Sequence, residues 1–370
     1  MLIVWILQNM MIILACLSSF FLSAGIAPLV IKWYTNQKWL DHPETHRHVK
    51  VTHNVPVPRG GGIVVGVAVL VSSLLFLPLT VQTVAILLSV STLIIMGFFD
   101  DIRDLNPYLR FLLGILVAVF IVFGGVTIPY ITNPFGEGVL FLNQDVLSFL
   151  FFGIPIQFHL IADSITVVWI VWNINVVNWS KGVDGQLPGT VAIAAFFIAI
   201  LAGRFSADPS QLPVILLSYI TVGAFLGLLV WNIYPQKMLP GYGAGSLGGF
   251  LLAVLSILSG SKVATALLVL AIPTADAVFT IMRRILSRKS PFWGDRGHLH
   301  HKLLDVLGWS KPKIAAFYWC TTALFGMIAL QLKPEQKLFT IGVIISLVFG
   351  FLIWAKLFIS FSKRPGHGNG

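Results

Sequence analysis

Leu93-Ile94-Ile95-Met96-Gly97-Phe98-Phe99-Asp100-Asp101 carries an apolar run straight into two adjacent carboxylates. The run continues one that begins near residue 82 and approaches the roughly 20 apolar residues that cross a bilayer core. A helix C-terminus presents unpaired carbonyls and partial negative charge, so carboxylates are unfavourable there. Adjacent carboxylates also repel each other. A metal ion or a basic cluster from elsewhere in the fold is expected to offset both costs. With only 14 acidic residues in 370, the pair reads first as a site and second as a surface.

Working outward, the rest of the chain has the same membrane character. It is 57% hydrophobic and 10% charged, with a mean hydropathy of +0.90; soluble domains carry about 25% charged residues. The apolar runs are continuous rather than alternating, which excludes a transmembrane barrel. The expected fold is an all-α polytopic membrane protein with about 11 transmembrane helices. The spans fall near 4–31, 62–79, 82–99, 109–128, 160–178, 188–203, 212–231, 246–260, 263–283, 314–331 and 338–358. The expected organisation is one integral-membrane domain over 1–358 and a short cytoplasmic tail over 359–370, with no internal repeat. The first charged residue is Lys32, so the opening run lacks the basic region of a cleaved signal peptide and reads as a retained span.

Placing the N-terminus outside and the C-terminus in the cytoplasm puts 20 of the 24 Lys and Arg side chains on the inner side. The inner segments are 32–61, 100–108, 179–187, 232–245, 284–313 and the tail. Only Arg204, Lys262, Lys333 and Lys337 fall outside, the bias expected of a positive-inside topology. The net charge of +10 therefore points to lipid headgroups or an anionic substrate, not to nucleic acid. Cys16 and Cys320 both lie within spans, which disfavours a disulfide scaffold or a cysteine metal site. The outer segment 129–159 has no Lys or Arg and carries turn residues at 132–136; a hairpin or re-entrant piece fits it better than a span.

Polar chemistry collects on the inner side with the aspartate pair. Seven of nine histidines fall in two inner segments, His42, His46, His48 and His53 in one and His298, His300 and His301 in the other. His53 and Arg59, in the Pro- and Gly-rich approach to the second span, can contact phosphate. Asn175 and Asn178 share a helix face near an inner end, and buried polar groups at that depth need partners or a cavity. Asp184 lies between Gly182 and Gly185, a flexible backbone that can aim its carboxylate inward. In isolation it reads as a turn aspartate, a reading weakened by Asn178, Lys181 and the other inner acids. The glycines of 241–249 open a helix, where backbone N–H groups can face phosphate or small residues can serve helix packing. Arg296 beside three histidines looks like a recognition element for an anion or a base.

In this order the motifs resemble those of polyprenyl-phosphate N-acetylhexosamine-1-phosphate transferases. The matching pieces are Asp100-Asp101, Asn178 with Asp184-Gly185, Gly245-Ser246, and Asp295-Arg296-Gly297-His298-Leu299-His300-His301. His53-Asn54-Val55-Pro56-Val57-Pro58-Arg59 is similar to the family's first cytoplasmic loop. The likeness runs from Asp41 to about Gly308. Arg296 to Leu304 is more similar to the undecaprenyl-phosphate N-acetylglucosaminyl 1-phosphate transferase branch, with the phospho-N-acetylmuramoyl-pentapeptide transferase branch as the alternative.

The resemblance implies a multi-pass enzyme of a bacterial-type plasma membrane with its site on the cytoplasmic face. Its substrates would be a UDP-sugar and a membrane polyprenyl phosphate, and its products UMP and a lipid-linked sugar that initiates an envelope glycan. It implies Mg2+ or Mn2+ on Asp100, Asp101 and Asp184, which are also the catalytic residues. His53, Arg59, Asn178, Lys181, Arg296, His298, His300 and His301 would bind substrate, and a homodimer is compatible. Two positions depart from the pattern. Lys181 and Gly243 stand where the family has aspartates, a local change of +3 in charge that is large enough to reset metal affinity. Lys181 is expected to supply part of the missing positive charge beside the diphosphate, as a point-charge phosphate binder. The same two departures favour a rival reading, a non-catalytic lipid-phosphate or nucleotide-sugar binder. A transporter fits less well, because the acids lie at span ends and not at the midplane.

Overall fold

The apolar stretches fold as helices. The computed structural model describes residues 2–43, 52, 55–133, 138–151, 154–205, 208–260, 263–291, 293 and 296–362. In chain order these form α1 (Leu2–Asn36), β1 (Leu40–Asp41), β2 (Val57–Pro58), α2 (Gly61–Phe76), α3 (Val81–Arg103), α4 (Pro107–Phe123) and β3 (Tyr130–Thr132). There follow β4 (Val139–Phe141), β5 (Val146–Phe151), β6 (Ile154–His159), α5 (Leu160–Trp179), α6 (Gln186–Gly203), α7 (Gln211–Asn232) and α8 (Gly241–Leu258). The chain continues through α9 (Val263–Val269), α10 (Ala271–Leu286), α11 (Leu299–Asp305), α12 (Lys311–Gln331) and α13 (Pro334–Ser362).

Among the described residues, eight helices are long and apolar enough to cross a membrane: α1, α3, α5, α6, α7, α8, α12 and α13. The shorter apolar helices α2 and α4 occupy two further expected spans. The expected span 263–283 is not one rod. It breaks into α9 and α10, bent by 83°. Pro273 explains the position of the break: a helical proline lacks its N–H and clashes with the carbonyl four residues back, here that of Val269, where α9 ends. A count of eleven therefore needs the bent pair and both short helices to cross.

The strands refine the all-α expectation. β1 and β2 pair antiparallel between α1 and α2. The segment 129–159 contains two antiparallel hairpins, β3–β4 and β5–β6, the second in register from Val146 opposite His159 to Phe151 opposite Ile154.

α8 lies at the centre, packed by α2, α3, α5, α6 and α7, and nearly all of it is buried. Its glycines permit this, because small residues let helix backbones approach closely. A Cβ on Gly62 would lie 2.6 Å from the Cα of Gly243, and one on Gly243 would lie 2.9 Å from the Cα of Gly62. Gly97 of α3 meets Gly243 from its other side. α1 is fastened to α7 by hydroxyls, with Ser19 Oγ donating to the Ile220 carbonyl at 2.8 Å and Ser23 Oγ to that of Ala224 at 2.7 Å.

Candidate active site

α3 ends where the sequence places its end. Asp104 closes it in a left-handed conformation (φ 45°), its N–H donating to the Asp100 carbonyl at 2.9 Å, a common way to end a helix. Asp100 and Asp101 thus occupy the last turn, and Asp100 is buried. A basic cluster, one of the two expected forms of compensation, surrounds them. Arg110 of α4 pairs with Asp100. Arg59 bridges Asp41 at 2.9 Å and Asp104 at 2.8 Å. Lys181 attracts both members of the pair.

Asp101 reaches the start of α8. Its Oδ1 accepts the Tyr242 N–H at 3.1 Å, and its carboxylate lies against Gly241, whose φ of +66° favours glycine. The Lys181 ammonium donates to the Gly241 carbonyl at 2.6 Å. Arg110 and Lys181 both stand over the Tyr242 ring, with 5.2 Å and 5.8 Å to its centroid.

The next residue after Lys181 carries the site to the histidines. The His300 imidazole lies directly over Gly182, in the space a side chain would fill there. His298, His300 and His301 are all buried. The rings of His298 and His300 stack at 5.7 Å, and those of His300 and His301 lie 4.3 Å apart. Asp276 of α10 organises this group. Its Oδ1 accepts the Leu299 N–H at 2.8 Å and its Oδ2 lies 2.9 Å from His298 Nδ1. A carboxylate accepts, so the His298 proton sits on Nδ1 and orients the ring.

Other expected residues stand apart or in different roles. Asp184 is buried, accepts the Gln236 N–H at 3.2 Å and lies 3.4 Å from Lys311 Nζ. It braces the start of α6 against the α7–α8 connection and α12. Asn178 is buried with its Oδ1 against Gly245 and without a hydrogen-bond partner. Arg296 forms a two-point pair with Asp305, at 2.9 and 3.0 Å. His53, with His46, His48 and Asp295, lies outside the described residues. Asp41, Asp104, Arg110 and Asp276 were not singled out in the sequence. Asp276 had a signal, since it is the one charged residue between Val263 and Met282.

The donor set does not fit the divalent ion that the resemblance implies. Among the described residues, no group of three or more His, Cys, Asp or Glu is arranged to hold a metal. Asp100, Asp101 and Asp184 each already face a cationic side chain, and position 243 is closed by the backbone of α2.

Comparison with known proteins addresses the class directly. The glycosyl transferase family 4 model matches residues 83–260, from the first turn of α3 through α8. A Bacillus subtilis protein described as "probable undecaprenyl-phosphate N-acetylglucosaminyl 1-phosphate transferase" is 26% identical over 90% of this chain and 88% of its own length. The chain is thus similar to glycosyl transferase family 4 across residues 83–260. It is an enzyme of the membrane transferase class. Phospho-N-acetylmuramoyl-pentapeptide-transferases are also similar. One from a Geobacillus species is 27% identical over 87% of this chain and 97% of its own length, and one from Geobacillus kaustophilus is 28% identical over 87% and 98%. These alignments extend past the family match and so past α8 toward the histidine group.

Proposed function

We propose that this chain is a family 4 transferase that moves N-acetylglucosamine 1-phosphate from UDP-N-acetylglucosamine to a membrane polyprenyl phosphate and releases UMP, on the cytoplasmic face of a bacterial plasma membrane. One observation carries the reading: adjacent residues Lys181 and Gly182 touch the N-terminus of α8 and the histidine group respectively. A phosphate-handling end and a ring-lined end thus meet at a single turn. The Bacillus subtilis relative supports the choice of sugar.

In the reaction a phosphate oxygen of the polyprenyl phosphate attacks the phosphorus that carries the sugar. The new P–O bond forms as the bond from that phosphorus to the bridging oxygen breaks, and UMP leaves with the bonding pair. The attacking phosphate is largely ionised at neutral pH, since its second pKa is about 6. Positioning and charge neutralisation therefore carry most of the catalysis. Lys181 supplies a point charge at the diphosphate, Asp101 holds the Gly241–Tyr242 turn, Arg110 holds Asp100, and Asp276 aims His298.

Lys181 and Gly243 also support a second reading, a non-catalytic binder of the same ligands. Purified protein supplied with UDP-N-acetylglucosamine and polyprenyl phosphate separates the two. Lipid-dependent UMP release is expected. Its absence with every UDP-amino sugar, including the muramoyl-pentapeptide donor, would reject the transferase.

A further inference from the structure

The structure assigns the cation of this phosphate site to the protein itself: the Lys181 ammonium takes the place of a divalent metal, and the site works without one. The inference rests on the phosphate-handling reading above and deepens it.

Three independent observations carry it. The first is charge. Asp100 is paired with Arg110, and Lys181 attracts both Asp100 and Asp101, so the two carboxylates already face two cations. A divalent ion would have to displace an ammonium that carries charge of the same sign. The second is geometry. Lys181 is partly buried and donates to the Gly241 carbonyl at 2.6 Å, while Asp101 accepts from Tyr242, the next residue. The ammonium and the carboxylate are therefore fastened to neighbouring peptides of one helix N-terminus, which fixes a cation beside an acid whose Oδ2 is buried and without a hydrogen-bond partner. The third is space. Gly243 cannot be read as a carboxylate simply lost from an open site. A Cβ there would lie 2.9 Å from the Gly62 Cα and 3.4 Å from that of Gly97, so α2, α3 and α8 have closed over the position. A magnesium site is built from carboxylates, substrate phosphate and water; here one carboxylate position is filled with backbone and another holds a lysine.

The pairing also has chemical sense. A lysine is a compact point charge with three donors. Its donation to Gly241 holds that charge at the start of α8, where an incoming phosphate oxygen can meet it.

The test uses the full chain in detergent and reads metal and nucleotide separately. Titration with Mn2+ followed by electron paramagnetic resonance is expected to show no saturable site in the wild-type protein. UMP affinity by calorimetry is expected to be the same in EDTA and in millimolar Mg2+. Lys181→Met is expected to weaken UMP binding about tenfold. Lys181→Asp is expected to gain one Mn2+ site that Asp101→Asn removes. A saturable wild-type Mn2+ site lost in Asp101→Asn, or UMP binding abolished by EDTA, would overturn the proposal. Unchanged UMP affinity in a folded Lys181→Met protein would do the same. If the wild type releases no UMP in the transfer assay while these binding results hold, the transferase reading fails and the lysine-for-metal assignment stands.

Discussion

Lys181 and Gly241, 60 positions apart in the chain, are joined by a 2.6 Å hydrogen bond from ammonium to carbonyl. The bond ties the α5–α6 turn to the start of α8 and sets the positive charge beside the aspartate pair at the end of α3. Lys181→Ala is expected to lower lipid-dependent UMP release about 100-fold, the scale of removing one preorganised donor from a reacting phosphate. Steady-state kinetics on a variant with wild-type thermal stability would read this, and an unchanged rate would remove Lys181 from the reaction.

The contact among Gly62, Gly97 and Gly243 predicts a packing effect. Gly97→Ala drives a methyl into the Gly243 backbone and is expected to cost about 1–3 kcal/mol, as overpacking does. Gly243→Asp, which restores the family acid, is expected to destabilise the protein and to create no metal site. A lowered melting temperature in detergent is the check; a stable Gly243→Asp protein that binds Mn2+ would contradict it.

Asp276 is a positioning residue whose effect passes through His298. Asp276→Ala leaves the buried Leu299 N–H and His298 Nδ1 without their acceptor, at a cost of about 1–3 kcal/mol. Asp276→Asn keeps one acceptor and is expected to lose less stability yet still raise the KM for the UDP-sugar with a smaller change in kcat. Equal kinetics in Asp276→Asn and wild type would confine Asp276 to a structural role.

The Arg296–Asp305 pair predicts a pH dependence. The hydrogen bond from Arg296 holds the Asp305 carboxyl below its ordinary value of 3.8. A depressed acid contributes stability above its unfolded pKa and loses it as pH falls through the folded value. Asp305→Asn is therefore expected to be slightly less stable than wild type at pH 7, within the roughly 0–1 kcal/mol of exposed pairs. The two proteins are expected to converge below pH 3.8, the upper edge of the window. Melting curves across that range decide it; a difference that persists in acid would locate the effect elsewhere.

Orientation can be read with single cysteines placed in a background where Cys16 and Cys320 are replaced. Ser287→Cys is expected to be protected from an impermeant maleimide in intact cells, and Gln336→Cys to react. The reverse pattern would invert the topology inferred from the Lys and Arg bias.

Membrane class, most span positions and the aspartate pair at a helix end were all legible in the sequence, because each depends on local hydropathy or on spacing along one helix. So was the break at Pro273 in principle, since its cause is local, although the apolar composition of 263–283 concealed it. What compensates the aspartates was not legible. A metal and a basic cluster are equally consistent with Asp100-Asp101, and the choice depends on Arg110, Lys181 and the α8 N-terminus arriving from separate parts of the chain. The same holds for Asp276, which in sequence is a lone charge in an apolar run and in the fold is the partner of His298. Gly243 reads in sequence as a missing acid; only the approach of α2 and α3 shows that the space for that acid has closed. Hydropathy and spacing are properties of neighbours in the chain, whereas charge compensation and steric exclusion are properties of neighbours in space.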